Sequence, residues 1–332
     1  MILRLTPIFK NCYWGGEKLK EIFEDEIITQ ATDGFSDRYP HLAEVWEFAC
    51  HMDGVSKLSP APSPKPTGDI MTLSLSGLNR KKLFGSLYKG YANFPFSVKL
   101  ADSAMDLPLQ VNPDNEFANL YEHQQGRNEI WYIMDCEENS EIIYGFKEKI
   151  SPEMFKTALT DNTVISLVKK TKVKKGDVFF IKPGIIYAVG KGITLASVHE
   201  SSNASYTVYD YNRLNEVGLL RQMQTEKALQ VMTFEPAEDY LPSAPVDGII
   251  TLGKTSRYTA KVAKITNFLT IEPDGDSFHN VVILEGEGNI SDIDEMLPVR
   301  KGDTFFIPAS GVKYTLYGEL KVLITYMTSE NG

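Results

Sequence analysis

The sequence predicts a mostly β protein, built as two β-barrel or sandwich units in tandem with short helical insertions. The first observation is an internal repeat. Val173-Lys174-Lys175-Gly176-Asp177-Val178-Phe179-Phe180-Ile181 returns, displaced by 126 residues, as Val299-Arg300-Lys301-Gly302-Asp303-Thr304-Phe305-Phe306-Ile307. The second is that each copy runs into a loop, Lys182-Pro183-Gly184 or Pro308-Ala309-Ser310-Gly311, and then into alternating strand patterns ending near His199 and near Tyr326. A repeat at fixed displacement marks a duplicated structural unit. Short β-prone runs joined by tight turns form a sandwich or barrel.

The elements are taken in order along the chain. Ile2 to Phe9 reads as an extended arm, followed by Trp14-Gly15-Gly16 and a short helical pattern from Glu17 to Phe23. Glu44-Val45-Trp46-Glu47-Phe48 alternates like a strand and leads to the turn Asp53-Gly54. Pro60, Pro62, Pro64 and Pro66 then forbid regular structure. Over residues 69–90, Leu73, Leu78, Leu83 and Leu87, interrupted by Gly77 and Gly85, predict one or two short helices, and Phe94 to Leu100 resumes a strand. Ser151-Pro152-Glu153 supplies an N-cap with proline at the first helical position, and the helix is expected to continue in pieces to Lys170. Gln224 to Met232 reads as a helix and Glu235 to Pro245 as a linker. The expected division is therefore 1–235, carrying the helical insertions and the candidate site, and 236–332, the second repeat without a metal motif.

Composition narrows the function classes. With 332 residues, 42% hydrophobic and 23% charged, the chain has ordinary globular composition. The net charge of −10 disfavours nucleic acid and anionic membranes but leaves room for a phosphorylated small molecule, which needs only a few convergent cations. Cys12, Cys50 and Cys136 are widely spaced and suggest neither a disulfide framework nor a thiolate metal site. No apolar run reaches the length of a membrane span, and Met1 to Pro7 lacks the apolar stretch of a signal peptide. The expectation is a cytoplasmic protein of undetermined oligomeric state.

A motif of the form Gly-x5-Pro-x-Gly-x2-His marks the second half of the metal site in cupins. Here it stands as Gly176-x5-Lys182-Pro183-Gly184-x2-Tyr187, with tyrosine at the ligand position. The first half places two ligands one residue apart on a strand, where the period of two aims both inward. That pair falls on Gln110 and Asn112, with a carboxylate beyond them at Glu129.

Trp14-Gly15-Gly16, Leu109 to Asp114, Glu129 to Ile133, Ile143-Tyr144-Gly145, Gly176 to Ile181, Tyr206-Thr207-Val208-Tyr209-Asp210 and Glu226 to Leu229 occur in an order that resembles class I mannose-6-phosphate isomerases (phosphomannose isomerases) of the short bacterial form. The resemblance implies two tandem cupin (jelly-roll) units. It also implies interconversion of mannose 6-phosphate and fructose 6-phosphate at a zinc ion held by Gln, His, Glu and His. Carried over, those ligands are Gln110, Asn112, Glu129 and Tyr187, so both histidines are replaced. The family's serine two residues before the glutamine is Pro108, and the arginine of its Tyr-Arg-Val-Tyr-Asp stretch, which assists the sugar chemistry, is Thr207. Arg127 and Lys99 stand at basic positions of the family and are the residues left for catalysis and for contacting the substrate, together with Asn112 and Tyr187.

This donor set alters the metal expectation. A carboxamide is a weak zinc donor, and a phenol, with a reference pKa of about 10, must lose its proton to bind well. Zinc affinity should fall well below that of the family site, and an oxygen-preferring divalent ion matches the donors better. Several residues admit two readings. Gln110 and Glu129 are either metal ligands or polar residues hydrogen-bonded to one another and to water; Arg127 and Lys99 are either a phosphate cradle or solvated charges. His199 either rescues a lost ligand or is an ordinary strand histidine, while His279 and Lys313 occupy the matching places in the second copy without forming a metal set. Trp131, Tyr132, Tyr144, Phe179 and Phe180 read as core. Two functions are compatible with this pattern: a family isomerase with altered activity, or a non-catalytic binding protein for a sugar or sugar phosphate.

Overall fold

The computed structural model describes residues 2–23, 41–60, 68–75, 80–90, 94–215, 217–238, 248–310 and 313–329. Pro62, Pro64, Pro66, Gly77, Leu78 and the linker residues 239–245 lie outside them. The described chain is mostly β and cupin-like, as the repeat implies. Its strands form open antiparallel sheets packed face to face, which corrects the expectation of closed barrels.

One sheet orders the strands Val178–Ile181, Glu129–Cys136, Ile193–His199, Ser97–Ser103, Ile8–Gly16 and Leu42–Phe48. Facing it is a sheet of Val168–Lys172, Glu141–Phe146, Ile186–Ala188, Leu109–Val111 and Tyr206–Tyr209. The period of two divides the first sheet's side chains cleanly. Ala101, Trp131, Ile133, Phe179, Ile181 and Leu195 face the second sheet and pack with Tyr144 and Tyr187. Their alternates, including Val98, Leu100, Ile130, Tyr132 and Val198, turn outward and share a core with Val262, Phe278, Val282, Phe306 and Leu323 of the second repeat. Phe278 touches Phe48, Phe84, Phe94, Phe96 and Phe306 at ring separations of 5.0–6.0 Å, so the two repeats are joined through buried aromatic surface.

The second repeat's sheet also takes in the opposite end of the chain. Leu3–Thr6 lies antiparallel to Thr304–Ile307, with Leu3 opposite Phe306, and Arg4 Nη1 meets Asp303 Oδ1 at 2.7 Å. The N-terminal arm thus crosses the division placed at residue 235.

The repeat is physical down to its turns. Gly176 and Gly302 have φ of 93° and 91°, a region glycine enters without a Cβ penalty. The aspartate after each glycine folds back. Asp177 Oδ2 accepts from the Lys174 N–H and Asp303 Oδ2 from the Arg300 N–H, both at 2.9 Å. Register repeats as well: Glu129 pairs with Ile181 and His199, and His279 pairs with Ile307 and Tyr326.

The short helices Ile70–Leu75, Arg80–Phe84 and Thr225–Val231 form near their expected places, as does Pro152–Thr160 with Ser151 Oγ accepting from the Met154 N–H at 3.1 Å. Three expectations fail. Pro60, expected to forbid regular structure, instead ends the strand Lys57–Pro60 opposite Leu3. Residues 17–23 form turns instead of a helix, held by hydrogen bonds from Lys20 N–H to Glu17 O and from Ile22 N–H to Leu19 O. The segment after Ser166 returns to strand at Val168–Lys172, because sheet pairing with Glu141–Phe146 overrides local helical tendency.

Candidate functional site

The candidate residues meet where the two facing sheets come together. Tyr187 lies directly opposite Gln110, and Gln110 opposite Thr207, so these three share one row of the smaller sheet. Across the gap, Lys99, Ser197 and Trp131 form a row on the larger sheet, with Glu129 and His199 beside it. Asn112 comes just after the end of the Leu109–Val111 strand and is fully buried.

Glu129 is the centre. Its Oε1 accepts from Arg127 Nε at 2.8 Å and Asn112 Nδ2 at 3.0 Å, with the Tyr187 hydroxyl at 3.1 Å. Its Oε2 accepts from Trp131 Nε1 at 2.9 Å and Ser197 Oγ at 3.1 Å. The single phenolic hydrogen of Tyr187 is shared between Glu129 and Asn112 Oδ1, 2.9 Å away, and Ser205 Oγ lies 3.2 Å from the same oxygen. A carboxylate offers about four lone-pair sites, so this one is saturated.

Electrostatics agree with the geometry. Burial alone would raise the Glu129 pKa, but the Arg127 guanidinium, with smaller contributions from Lys99 and the Trp131 N–H, holds the carboxyl well below the usual range. Burial, reinforced by Glu129, pushes the Tyr187 phenol up, which keeps it a protonated donor. His199 is pushed well down by burial and by Arg127, and its Nδ1 lies 2.7 Å from the Glu200 carbonyl oxygen, so the ring is neutral with Nδ1 as the donor.

These residues do not fit a zinc ion. Zinc at Glu129 would have to displace Arg127 and Asn112 from Oε1. It would also need Asn112 to turn its oxygen inward and Tyr187 to ionise against a neighbouring carboxylate. Gln110 adds only a carboxamide, whose Nε2 makes a long 3.5 Å contact with Thr207 Oγ1. Among the described residues, no three His, Cys, Asp or Glu side chains converge as a metal-holding group. In effect, the Arg127 guanidinium supplies the positive charge that a metal would otherwise bring to Glu129.

Lys99 and Arg127 both act on Glu129, and each is already paired. Lys99 Nζ lies 2.7 Å from Glu44 Oε1, and Arg127 Nη1 donates to the Ser202 carbonyl at 2.7 Å. Burial would raise the pKa of Glu44, but Lys99 reverses the effect and holds it below its ordinary value. In the second repeat, His279 Nδ1 sits 3.0 Å from the Tyr314 hydroxyl and Lys313 is exposed.

Five contributors were not singled out from the sequence: Glu44, Trp46, whose Nε1 donates to Glu44 Oε2 at 2.7 Å, Ser197, Ser202 and Ser205. The alternation in Glu44-Val45-Trp46 and in Ser197-Val198-His199 carried the signal, since it places Glu44 with Trp46, and Ser197 with His199, on one face. Trp131 is buried as expected, yet its indole N–H serves the site.

Comparisons with known proteins bear on the whole chain. The family model described as "Mannose-6-phosphate isomerase, cupin domain" matches residues 250–327. Mannose-6-phosphate isomerase ManA of Bacillus subtilis (strain 168) is 28% identical over 341 residues, covering 98% of each chain. The crystal structure of the mannose 6-phosphate isomerase from Bacillus subtilis superposes with a TM-score of 0.81 at 27% identity, covering 98% of this chain and 99% of that one. A zinc-bound mannose 6-phosphate isomerase shares the fold with a TM-score of 0.75 at 14% identity, again over 98% of this chain and 99% of the other. The match runs over nearly the full length of both chains, in sequence and in fold, so this chain is similar throughout to mannose-6-phosphate isomerases.

Proposed function

We propose that this chain is a metal-independent, sugar-binding member of its family, which holds a hexose or hexose 6-phosphate in the pocket between Lys99 and Gln110 and does not interconvert mannose 6-phosphate and fructose 6-phosphate. The saturation of Glu129 by Arg127, Asn112, Tyr187, Trp131 and Ser197 carries this reading. Aldose–ketose isomerisation needs a base to move a proton between adjacent carbons and an electrophile to hold the developing enediolate. Here the guanidinium nearest the pocket is committed to Glu129 and to Ser202, and the neutral Thr207 occupies the other electrophile's place. Losing one such electrophile typically costs about 3–4 kcal/mol of transition-state stabilisation.

Residues 1–235 form the site-bearing unit in this proposal, and 236–332 supports it through the shared aromatic core. A cytoplasmic location belongs to the proposal too; among the described residues no helix is long and apolar enough to cross a membrane. The test is a coupled assay of both directions of interconversion, with the protein metal-free and after incubation with Zn²⁺, Mg²⁺ or Mn²⁺. No turnover above background is expected. Metal-dependent interconversion in either direction would return the chain to the isomerases.

A further inference from the structure

An open groove of about 1070 Å³ lies between the helix Arg80–Phe84 and two loops of the second repeat, one over residues 273–275 and the other over 309–310. It shares no lining residue with the pocket around Glu129. Its walls are tied together by the backbone: the Ala309 N–H donates to Leu83 O at 2.9 Å, the Phe278 N–H to Phe84 O at 3.2 Å and the Leu87 N–H to Asp276 O at 3.1 Å. Gly85, with φ of 95°, allows this close approach, because a Cβ there would collide with the Asp276 carbonyl oxygen.

The charge of this groove runs against that of the chain. With 44 acidic against 34 basic residues the chain carries −10, yet the groove is lined by three cations, Arg80, Lys81 and Lys82, and by one carboxylate, Asp274. Asp274 is turned into its own loop, where its Oδ1 accepts from the Asp276 N–H at 2.9 Å. Among the described residues no carboxylate stands within ion-pair distance of any of the three cations. Lys81 and Lys82 are exposed. Arg80 is half-buried, and its Nε is shut off from water without an acceptor, so its charge is partly desolvated and left uncompensated by the protein. Such a local excess of positive charge favours an anion whatever the net charge of the molecule.

The spacing narrows the class of anion. Side chains one and two positions apart on a helix do not face one another, so the three charges are fanned along the groove and do not close on one compact phosphate. Two linked phosphates suit that spread, with the planar guanidinium taking one and the flexible ammonium groups the other. The volume leaves room for an organic group beyond them, beside the Ser310 side chain and the backbone of Gly275.

We infer that this groove binds a small molecule bearing a diphosphate group, with Arg80, Lys81 and Lys82 as its anion contacts. The site stands or falls independently of what the Glu129 pocket does with a sugar. Calorimetry on the intact chain at roughly 0.05 M salt compares pyrophosphate, ADP, GDP and inorganic phosphate, on the wild type and on Lys81→Gln/Lys82→Gln. Pyrophosphate should bind the wild type at least about tenfold more tightly than inorganic phosphate, and the double variant should weaken pyrophosphate at least about tenfold. Tighter binding of ADP or GDP than of pyrophosphate identifies a nucleotide as the source of the diphosphate, and equal binding identifies the diphosphate alone; both support the site. If the double variant unfolds at lower urea than the wild type, Arg80→Gln is read in its place by the same criteria. Binding of no diphosphate at roughly 10 mM overturns the inference. So does pyrophosphate binding that the substitutions leave unchanged, and so does inorganic phosphate binding as tightly as pyrophosphate.

Discussion

Replacing Arg127 with methionine tests the idea that a guanidinium, in place of a metal, stabilises the charge on Glu129. The substitution keeps much of the side-chain volume but removes the Nε donor 2.8 Å from Glu129 Oε1 and the Nη1 donor to Ser202 O. Both partners of the pair are nearly inaccessible, with side-chain exposures of 9% and 3%, so solvent cannot take over. Removing one partner of a buried pair costs about 3–5 kcal/mol, mostly as the penalty of the charge left behind. The loss should also depend on pH with a definite sign. In the native protein Glu129 titrates below its unfolded value, so its contribution is complete above the ordinary carboxylate range and disappears as pH falls through the lowered folded value. Without Arg127, burial dominates and the folded carboxyl titrates above its unfolded value, so the variant should gain stability as pH falls from 7 toward 5. Urea unfolding at pH 7 and pH 5 measures both effects, and Arg127→Met/Glu129→Gln should recover much of the loss. An Arg127→Met protein within about 1 kcal/mol of wild type at pH 7, with no gain on acidification, would refute the reasoning.

The same structure sets further expectations. Glu47 is fully buried between the repeats; burial pushes its pKa up to about 8 against an ordinary 4.5, with Thr304 Oγ1 donating to it at 2.6 Å. Stability should therefore fall as pH rises from 4.5 through 8, and Glu47→Gln should remove that fall in urea titrations at pH 6 and 9, between which its ceiling is roughly 3 kcal/mol. Gly302→Ala should destabilise more than Gly176→Ala. Each forces a Cβ into positive φ at about 1–2 kcal/mol, but at residue 302 it also meets Ile22 Cγ2 at 2.8 Å whereas at 176 it meets open space. Phe278→Ala should cost about 3–5 kcal/mol and weaken both repeats together, seen as one cooperative transition shifted to lower urea. Chelation with EDTA should leave the unfolding midpoint unchanged, because no stabilising ligand is removed.

The fold was legible because its signals are local and repeated. The two Lys-Gly-Asp turns and the Val/Thr-Phe-Phe-Ile strands behind them carry their own geometry, and the register of Glu129 against His199 matches that of His279 against Tyr326. The features that escaped depend on pairing across long separations. The turns at 17–23, where the Lys18 N–H donates to Asp102 Oδ2 at 2.8 Å, and the strand at Val168–Lys172 have partners far along the chain, as does the N-terminal arm beside Thr304–Ile307. The site divides in the same way. Gln110, Asn112, Glu129 and Tyr187 could be named from a motif, and they converge. Their roles could not, since which donors fill Glu129 is decided by Ser197 on the neighbouring strand as well as by Arg127 and Trp131, two residues to either side of Glu129 in the chain. Lys99 alone suggests a free phosphate-binding cation; only cross-strand placement shows that Glu44 already holds it.

In the proposed reading, Asn112 and Tyr187, with Arg127, stand in place of a metal ion at Glu129, to which all three donate hydrogen bonds. The most direct measurement of that replacement is the metal content of the purified chain after exposure to Zn²⁺ and removal of excess, set beside that of the Asn112→His/Tyr187→His double variant. Substoichiometric zinc is expected on the wild-type chain and close to one zinc per chain on the variant. One tightly held zinc per wild-type chain, lost on Glu129→Gln, would contradict the replacement.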